Sequence, residues 1–336
     1  MQNQIPAIGA PIVTVFGGSG FIGRYVTQRL ARAGWRIRVA VRRPDEAGFV
    51  RPYGVVGQVE ILQANIRDEA STRRAIKGAN AVVNCVGILG EAGKQTFDAV
   101  LAEGAGRIAR IAAEEGVTRL VHVSAIGADP DGASTYAKGK AAGEAAVLAA
   151  FPKAVILRPS VVFGDGDGFF RKFASMARMF PVLPIVGPGT RFQPVYVDDV
   201  AAAAVAALSG EATGVYELGG PEAKTFHELM TEMLAVIRRR RPIISLPGWL
   251  ARLQAYVLDK AQGLSFGLFT NTVVTRDQLR LLARDNVVAP GAKGFADLGI
   301  TDLTVMETVL DSYLYAYRPN GQYDAIKESA ERLWNH

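Results

Sequence analysis

Cysteine and histidine are nearly absent from this chain of 336 residues, which holds one Cys (Cys85) and three His. That excludes a disulfide framework within the chain and leaves too few ligands for a Cys/His zinc site, so no metal is expected. A lone thiol suits a reducing compartment. Long apolar runs are missing too. The most apolar stretch, Val200 to Leu208, falls well short of the roughly 20 residues needed to cross a bilayer. Met1 to Pro11 lacks a basic segment followed by an apolar one, so no secretory signal is expected. No repeat at a period of about 20–50 residues and no low-complexity tract is visible. Charge of one sign does not dominate: 38 Lys and Arg against 32 Asp and Glu leave +6. So small an excess gives no reason to expect nucleic acid, and it is compatible with an anionic cofactor or a membrane surface. What is plentiful is apolar: 49% of residues are hydrophobic, enough to bury a full core and exclude wholesale disorder.

Through the first half, strand-like and helix-like segments alternate. Strands are expected at Ile12–Phe16, Ile37–Val41, Val59–Leu62, Ala81–Val86, Arg119–Val123 and Ala154–Leu157. Between them helical spacing runs through Phe21–Ala33, Ser71–Ile76, Phe97–Glu115 and Tyr136–Ala149. Such βα units imply an α/β fold, a doubly wound parallel sheet with right-handed crossovers. After Pro159 the rhythm breaks: a Gly164–Gly168 loop, a helix over Phe169–Phe180, several prolines, then mainly helical chain from Thr225. The expected division is a dinucleotide-binding domain over 1–160. A smaller, mainly helical portion over 161–336 partly completes the sheet and forms the docking or substrate side.

Gly17-Gly18-Ser19-Gly20-Phe21-Ile22-Gly23 follows the first strand and opens the first helix. Gly17 allows the sharp turn off the strand, and Gly20 lets backbone N–H groups approach a pyrophosphate. Gly23 lets helix and sheet pack closely, while the helix N-terminus offers free donors and a positive dipole. An NAD site wants an acidic residue at the end of the second strand, about 20 residues on, for the ribose 2′-OH. Here Arg42 and Arg43 stand there instead. Guanidinium groups suit a 2′-phosphate, which favours NADP(H). Asn65 and Ile66, after the third strand, fall where an adenine would lie, and Val86 and Gly87 beside the cofactor path. All four are equally compatible with plain turns.

Ser124 closes the fifth strand, and Tyr136 and Lys140 follow, four residues apart and so on one helix face. In hydride chemistry an ammonium beside a phenol lowers the phenol pKa toward neutrality, the serine polarises a carbonyl, and the lysine also holds the nicotinamide ribose. If the site is active, these three are the expected catalytic residues. His122, just before Ser124, is expected to pack in the sheet. Pro159, Ser160 and Val161 follow the sixth strand and are placed to close over the nicotinamide.

In this order the motifs resemble an atypical or extended short-chain dehydrogenase/reductase of the Rossmann type. Further segments are similar to the NADPH-carrying, reductase-like accessory subunits of respiratory complex I. They are Thr14–Val26, Arg51–Gly54 with Gly57-Gln58, Tyr136–Glu144 with Phe151-Pro152, Phe173–Met176 and Gln193–Val200. In the C-terminal part, Thr275–Leu279 and Leu298–Ile300 join them. The resemblance spans roughly residues 11–302. It implies tightly held NADPH that is not turned over, and docking on hydrophilic-arm subunits of complex I, the proton-pumping NADH:quinone oxidoreductase. It implies a peripheral place on the cytoplasmic face of a bacterial inner membrane, or the matrix side of the mitochondrial one. It also gives Gly17, Ser19, Gly20, Phe21, Ile22, Arg42 and Arg43 as cofactor ligands and Tyr136 and Lys140 as ribose and nicotinamide contacts. Because Ser124, Tyr136 and Lys140 are all retained, a free NADP-dependent reductase or a quinone-pathway relative is the alternative.

Arg238, Arg239, Arg240 and Arg241 precede a Pro-interrupted apolar stretch containing Trp249. A basic cluster beside Trp and Leu suits contact with anionic lipid headgroups.

Overall fold

The computed structural model describes residues 9–246, 276–321 and 323. In chain order the first half runs β1 (Ile12–Phe16), α1 (Phe21–Arg32), β2 (Arg36–Val41), β3 (Val59–Gln63), α2 (Glu69–Ile76), β4 (Ala81–Asn84), α3 (Glu103–Glu114), β5 (Arg119–Val123), α4 (Thr135–Ala150) and β6 (Val155–Pro159). The second half gives β7 (Val162–Phe163), α5 (Phe170–Met179), β8 (Leu183–Ile185), β9 (Arg191–Phe192), β10 (Val195–Tyr196), α6 (Val197–Ser209), β11 (Gly214–Leu218), β12 (Lys224–Thr225), α7 (Phe226–Val236) and β13 (Ile243–Ser245). Two more helices, α8 (Arg276–Leu281) and α9 (Met306–Leu314), follow.

The main sheet has seven parallel strands in the order β11-β6-β5-β4-β1-β2-β3. The order reverses between β1 and β4, and in such sheets ligands settle outside the carboxyl ends of the strands at that switch point. Side-chain alternation builds two cores. Val13, Val15, Val83 and Val121 meet Val26 and Leu30 of α1 and Val200 and Ala204 of α6 on one face. Val82, Leu120 and Ile156 meet Ile108 and Ile111 of α3 and Val147 of α4 on the other. A third core, with Phe163, Phe170, Phe226, Met230 and Leu310, belongs to the second half of the chain. That half also supplies β11 to the sheet and α6 to one of its covering layers.

Most expected boundaries move by one or two residues, β6 running on to Pro159 among them, and two of the shifts have a visible cause. The fourth strand ends at Asn84 and not Val86, because the Asn84 carboxamide oxygen accepts the Val86 N–H at 3.0 Å and turns the chain out of the sheet. The helix expected over Phe97–Glu115 opens with a wide π-type turn at Asp98–Ala102 before α3 begins. Gly143 of α4 packs so closely there that a Cβ would collide with the Leu101 carbonyl.

Several motif residues turn out to be structural ties. Gln58 donates to the Ala31 and Trp35 carbonyls at 2.7 and 2.9 Å, and a Cβ on Gly54 would lie 2.5 Å from its carboxamide oxygen. Asp198 grips Arg29 through two bonds of 2.7 and 2.8 Å, and Asp199 accepts the Thr304 N–H at 2.8 Å. No helix among the described residues is long and apolar enough to cross a membrane. Trp249 lies outside them.

Candidate functional site

Gly17 leaves β1 at φ +72°, a conformation that L side chains rarely adopt, and its backbone N–H bonds the Ala40 carbonyl of the next strand. A Cβ on Gly18 would meet Thr27, Val39 and Val15 at 3.1–3.2 Å, so the loop lies directly on the core. Gly23 does not serve helix–sheet packing as expected from its spacing. A Cβ there would stand on the Gly17 carbonyl and 2.8 Å from Gly18 Cα, so this glycine lets α1 close on its own loop. Ser19 is half-buried on that loop, and Phe21 and Ile22 form the first turn of α1. Gly20 is the N-cap, no side chain caps the helix, and its first turn carries no acidic residue. The opening amides of α1 are thus left for an anion.

Arg42 and Arg43 are exposed at the end of β2. Arg43 pairs with Glu46 at 2.8 Å, a solvent-screened contact that a phosphate can replace. Asn65 is half-buried and spends its carboxamide oxygen on the Arg67 N–H, while Ile66 is buried in the core against Gly104. Both are therefore tied into the turn after β3. Val86 packs beside Gly17, and Gly87 lies near the Lys140 ammonium.

Ser124, Tyr136 and Lys140 come from the end of β5 and the first turns of α4. The Ser124 hydroxyl is buried without a hydrogen-bond partner, an orphaned polar group in a dry place. Lys140 is 5% exposed, and its ammonium donates to the Val123 carbonyl at 3.1 Å and lies 5.9 Å from the centre of the Tyr136 ring. Burial lowers the Lys140 pKa to about 8, partly offset by Glu144 and Cys85. The expectation for Tyr136 is corrected: burial pushes its phenol up to about 12, not down toward neutrality. The ammonium that was to lower it is itself short of water and aimed at a carbonyl, and desolvation of the phenolate wins.

His122 packs in the sheet, its Nδ1 taking a 3.0 Å bond from the Asn84 amide, and burial drives its pKa down to about 3. Cys85 is likewise pushed up to about 12 by burial, against the lowering effect of Lys140. Beneath Lys140, Glu144 is held by Arg158 at 2.5–3.2 Å, and Arg158 reaches Glu217 of β11 at 3.5 Å. Sequence reading missed this network, whose only signal was an acid one turn beyond Lys140. Pro159 ends β6, buried. Ser160 does not face outward freely: its hydroxyl lies 2.7 Å from Asn286 Oδ1 and accepts the Gln193 N–H at 3.3 Å, and Val161 packs on the third core.

The basic stretch follows α7. Arg238 adopts φ 54°, an uncommon backbone for a residue with a side chain. Arg239 donates to the Tyr317 carbonyl at 2.7 Å and Arg241 to the Ala177 carbonyl at 3.0 Å, so two of the four arginines cap helix and turn carbonyls. With Arg238, Arg240, His227 and Thr231 they line an open cleft of about 640 Å³. No group of three or more His, Cys, Asp or Glu suited to a metal occurs among the described residues.

A model of the NAD dependent epimerase/dehydratase family matches residues 13–219. Over 322 residues the chain is 34% identical to the mitochondrial NADH dehydrogenase [ubiquinone] 1 alpha subcomplex subunit 9 of Arabidopsis thaliana, covering 94% of this chain and 80% of that protein. It is 33% identical to the ceramide reductase of Caulobacter vibrioides, over 70% of this chain and 74% of that one. Among solved structures, the dTDP-glucose 4,6-dehydratase DesIV from Streptomyces venezuelae, with NAD and TYD bound, superposes with a TM-score of 0.66 at 19% identity. That match covers 92% of this chain and 97% of that one, and it speaks for the fold alone.

Proposed function

The chain belongs to the NAD dependent epimerase/dehydratase family, and from that premise we propose that it is an NADP(H)-holding accessory subunit of a proton-pumping NADH:quinone oxidoreductase. The observation that carries this reading is the reach of the likeness. The match to the plant complex I subunit spans 94% of the chain, well past residue 219, where the family model stops. The chain beyond residue 219 is thus shared with a subunit of an assembly, whereas the family model does not reach it.

The residues fit a dinucleotide. Gly17, Gly18 and Gly20 leave only tight room for a Cβ and Gly23 leaves none, α1 keeps its first amides open, and the Ser124 hydroxyl lacks a partner. NADP(H), when bound, supplies a hydride donor or acceptor. Gly18, Ser19, Phe21 and Ile22 would surround its pyrophosphate, Arg42 and Arg43 its 2′-phosphate, and Asn65, Ile66, Val86 and Gly87 the adenosine side and the path between. Ser124, Tyr136, Lys140, Pro159, Ser160 and Val161 would border the nicotinamide end. A ligand that binds only the folded chain at a hundred times its Kd adds about 2.7 kcal/mol. Against a total of about 5–15 kcal/mol, the nucleotide then acts as a fold stabiliser.

The place of action is the cytoplasmic or matrix face of the energy-transducing membrane, docked on hydrophilic-arm subunits. Lipid contact falls to the arginine cleft. Arg241 reaches the last turn of α5, which ends in exposed Met179 and Phe180, so cationic and apolar groups share one surface. Replacing Arg238–Arg241 by Gln weakens binding to anionic liposomes, measured by flotation. Unchanged, salt-insensitive binding contradicts it. Native mass spectrometry of the assembly, purified in mild detergent, tests the main reading: the chain is found in the oxidoreductase with its nucleotide. Migration as a free species with robust NADPH-dependent turnover overturns it.

A second reading, a free NADP-dependent reductase, draws on the cluster of buried Ser124 and Lys140 with half-buried Tyr136 and the likeness to ceramide reductase. Oxidation of bound NADPH by an added carbonyl or quinone would favour it.

A further inference from the structure

The short helix α8 carries one carboxylate to a distant helix end. Asp277 Oδ1 accepts the Thr135 N–H at 2.7 Å, and Oδ2 accepts the Tyr136 N–H at 3.1 Å and the Ser134 hydroxyl at 2.7 Å. Ser134 Oγ in turn accepts the Ala137 N–H at 3.3 Å. Those are the first three amides of α4, whose opening turn has no acidic residue of its own. A carboxylate there satisfies orphaned donors and meets the positive end of the helix dipole.

The chain beyond α8 is tied along the same edge of the sheet. Arg284 pairs with Asp129 at 2.8 Å, and Asp285 accepts the Arg191 N–H at 2.8 Å. Asn286 bonds Ser160 and donates to the Ile126 carbonyl at 3.3 Å. Residues 276–288 therefore form a strap over the loop after β5, the start of α4 and the loop after β6. Those three segments also carry the Ser124, Tyr136 and Ser160 end of the candidate site.

We propose that Asp277 is the positioning residue of the nucleotide site, and that the strap it anchors is coupled to nucleotide occupancy. The proposal rests on the dinucleotide reading given above. Tyr136 is the second residue of α4, so the amide that Asp277 holds is its own; Lys140 lies one turn further on the same face. With the carboxylate in place, this first turn is fixed before any ligand arrives, and less ordering has to accompany binding. Coupling is reciprocal: if the docked strap favours nucleotide, nucleotide favours the docked strap.

The test uses the full chain and NADPH. In Asp277→Ala the NADPH Kd rises about tenfold, while Asp277→Asn, which keeps an acceptor without its charge, falls between the two. In the parent protein NADPH slows tryptic cleavage after the exposed Arg280 and Arg284; in Asp277→Ala that protection is lost. Hydrogen exchange at the Thr135 and Tyr136 amides, measured without nucleotide, accelerates in both variants relative to the rest of α4, a readout that stands if Asp277→Ala folds poorly and Asp277→Asn must serve. Parent-like Kd and tryptic protection in a folded variant overturn the proposal, as does unchanged exchange at the two amides. A parent chain that binds no NADPH overturns the nucleotide reading and the coupling with it, and amide exchange then still reports whether Asp277 fixes α4.

Discussion

Two helices begin at the same carboxyl edge of the sheet, and their first turns are finished in opposite ways. At α1 the N-cap is Gly20, no side chain closes the helix, and no acidic residue follows. At α4 the N-cap is Ser134, and Asp277, remote in sequence, takes the next two amides. The open end is backed by a glycine cradle, while the closed end carries Tyr136 and Lys140. The contrast separates two tasks. An end that must receive an anionic ligand keeps its donors free, and an end that must hold side chains in place has its donors filled from within the protein.

Filling the open end has the largest effect. Gly23→Ala puts a methyl group onto the Gly17 carbonyl, which has nowhere to move, so the variant loses about 3 kcal/mol of stability and all retained nucleotide. Denaturant titration and nucleotide release on acid precipitation measure both. A variant that keeps its nucleotide would show the cradle to be incidental. The next change leaves the open end intact and alters its choice of ligand. Replacing Arg42 and Arg43 together by Ala weakens NADPH about a hundredfold and NADH hardly at all, at about 1.5–3 kcal/mol for hydrogen bonds to a charged group. Equal losses for the two nucleotides, measured by titration calorimetry, would remove the 2′-phosphate assignment.

The last change has no effect at neutral pH and probes the dry ground under the closed end. His122 has its pKa driven from 6.5 to about 3 by burial, so between those values the unfolded chain binds a proton that the folded chain refuses. Stability therefore rises with pH across about pH 3–6.5 and loses this contribution as the solution is acidified. Relative to the parent, His122→Gln flattens that slope in urea titrations at several pH values. Parallel slopes would mean that the imidazole is hydrated.

The open end was legible because it is local. Gly17 through Gly23, the β-branched β1 and the arginine pair after β2 lie within 32 residues, and each states its role through backbone need or charge. The spacing of Tyr136 and Lys140 was equally plain. The phenol's direction of shift was not, because it depends on how much water the folded chain removes, a property of packing and not of spacing. Asp277 stood within a motif noted only for resemblance, and nothing short-range ties it to Ser134, 143 positions away. The same holds for Glu144, Arg158 and Glu217, brought together from α4, β6 and β11. Asn84 ended its strand early through a side-chain bond that strand propensity does not anticipate.

The central claim is that the open end of α1, with Arg42 and Arg43, holds NADP(H) as a resident group. Its most direct measurement is the nucleotide content of the chain purified under native conditions, released by denaturation and identified by mass. The account predicts about one NADP(H) per chain, retained through extensive washing. Recovery of an empty chain, or of NAD(H) in equal measure, would contradict it.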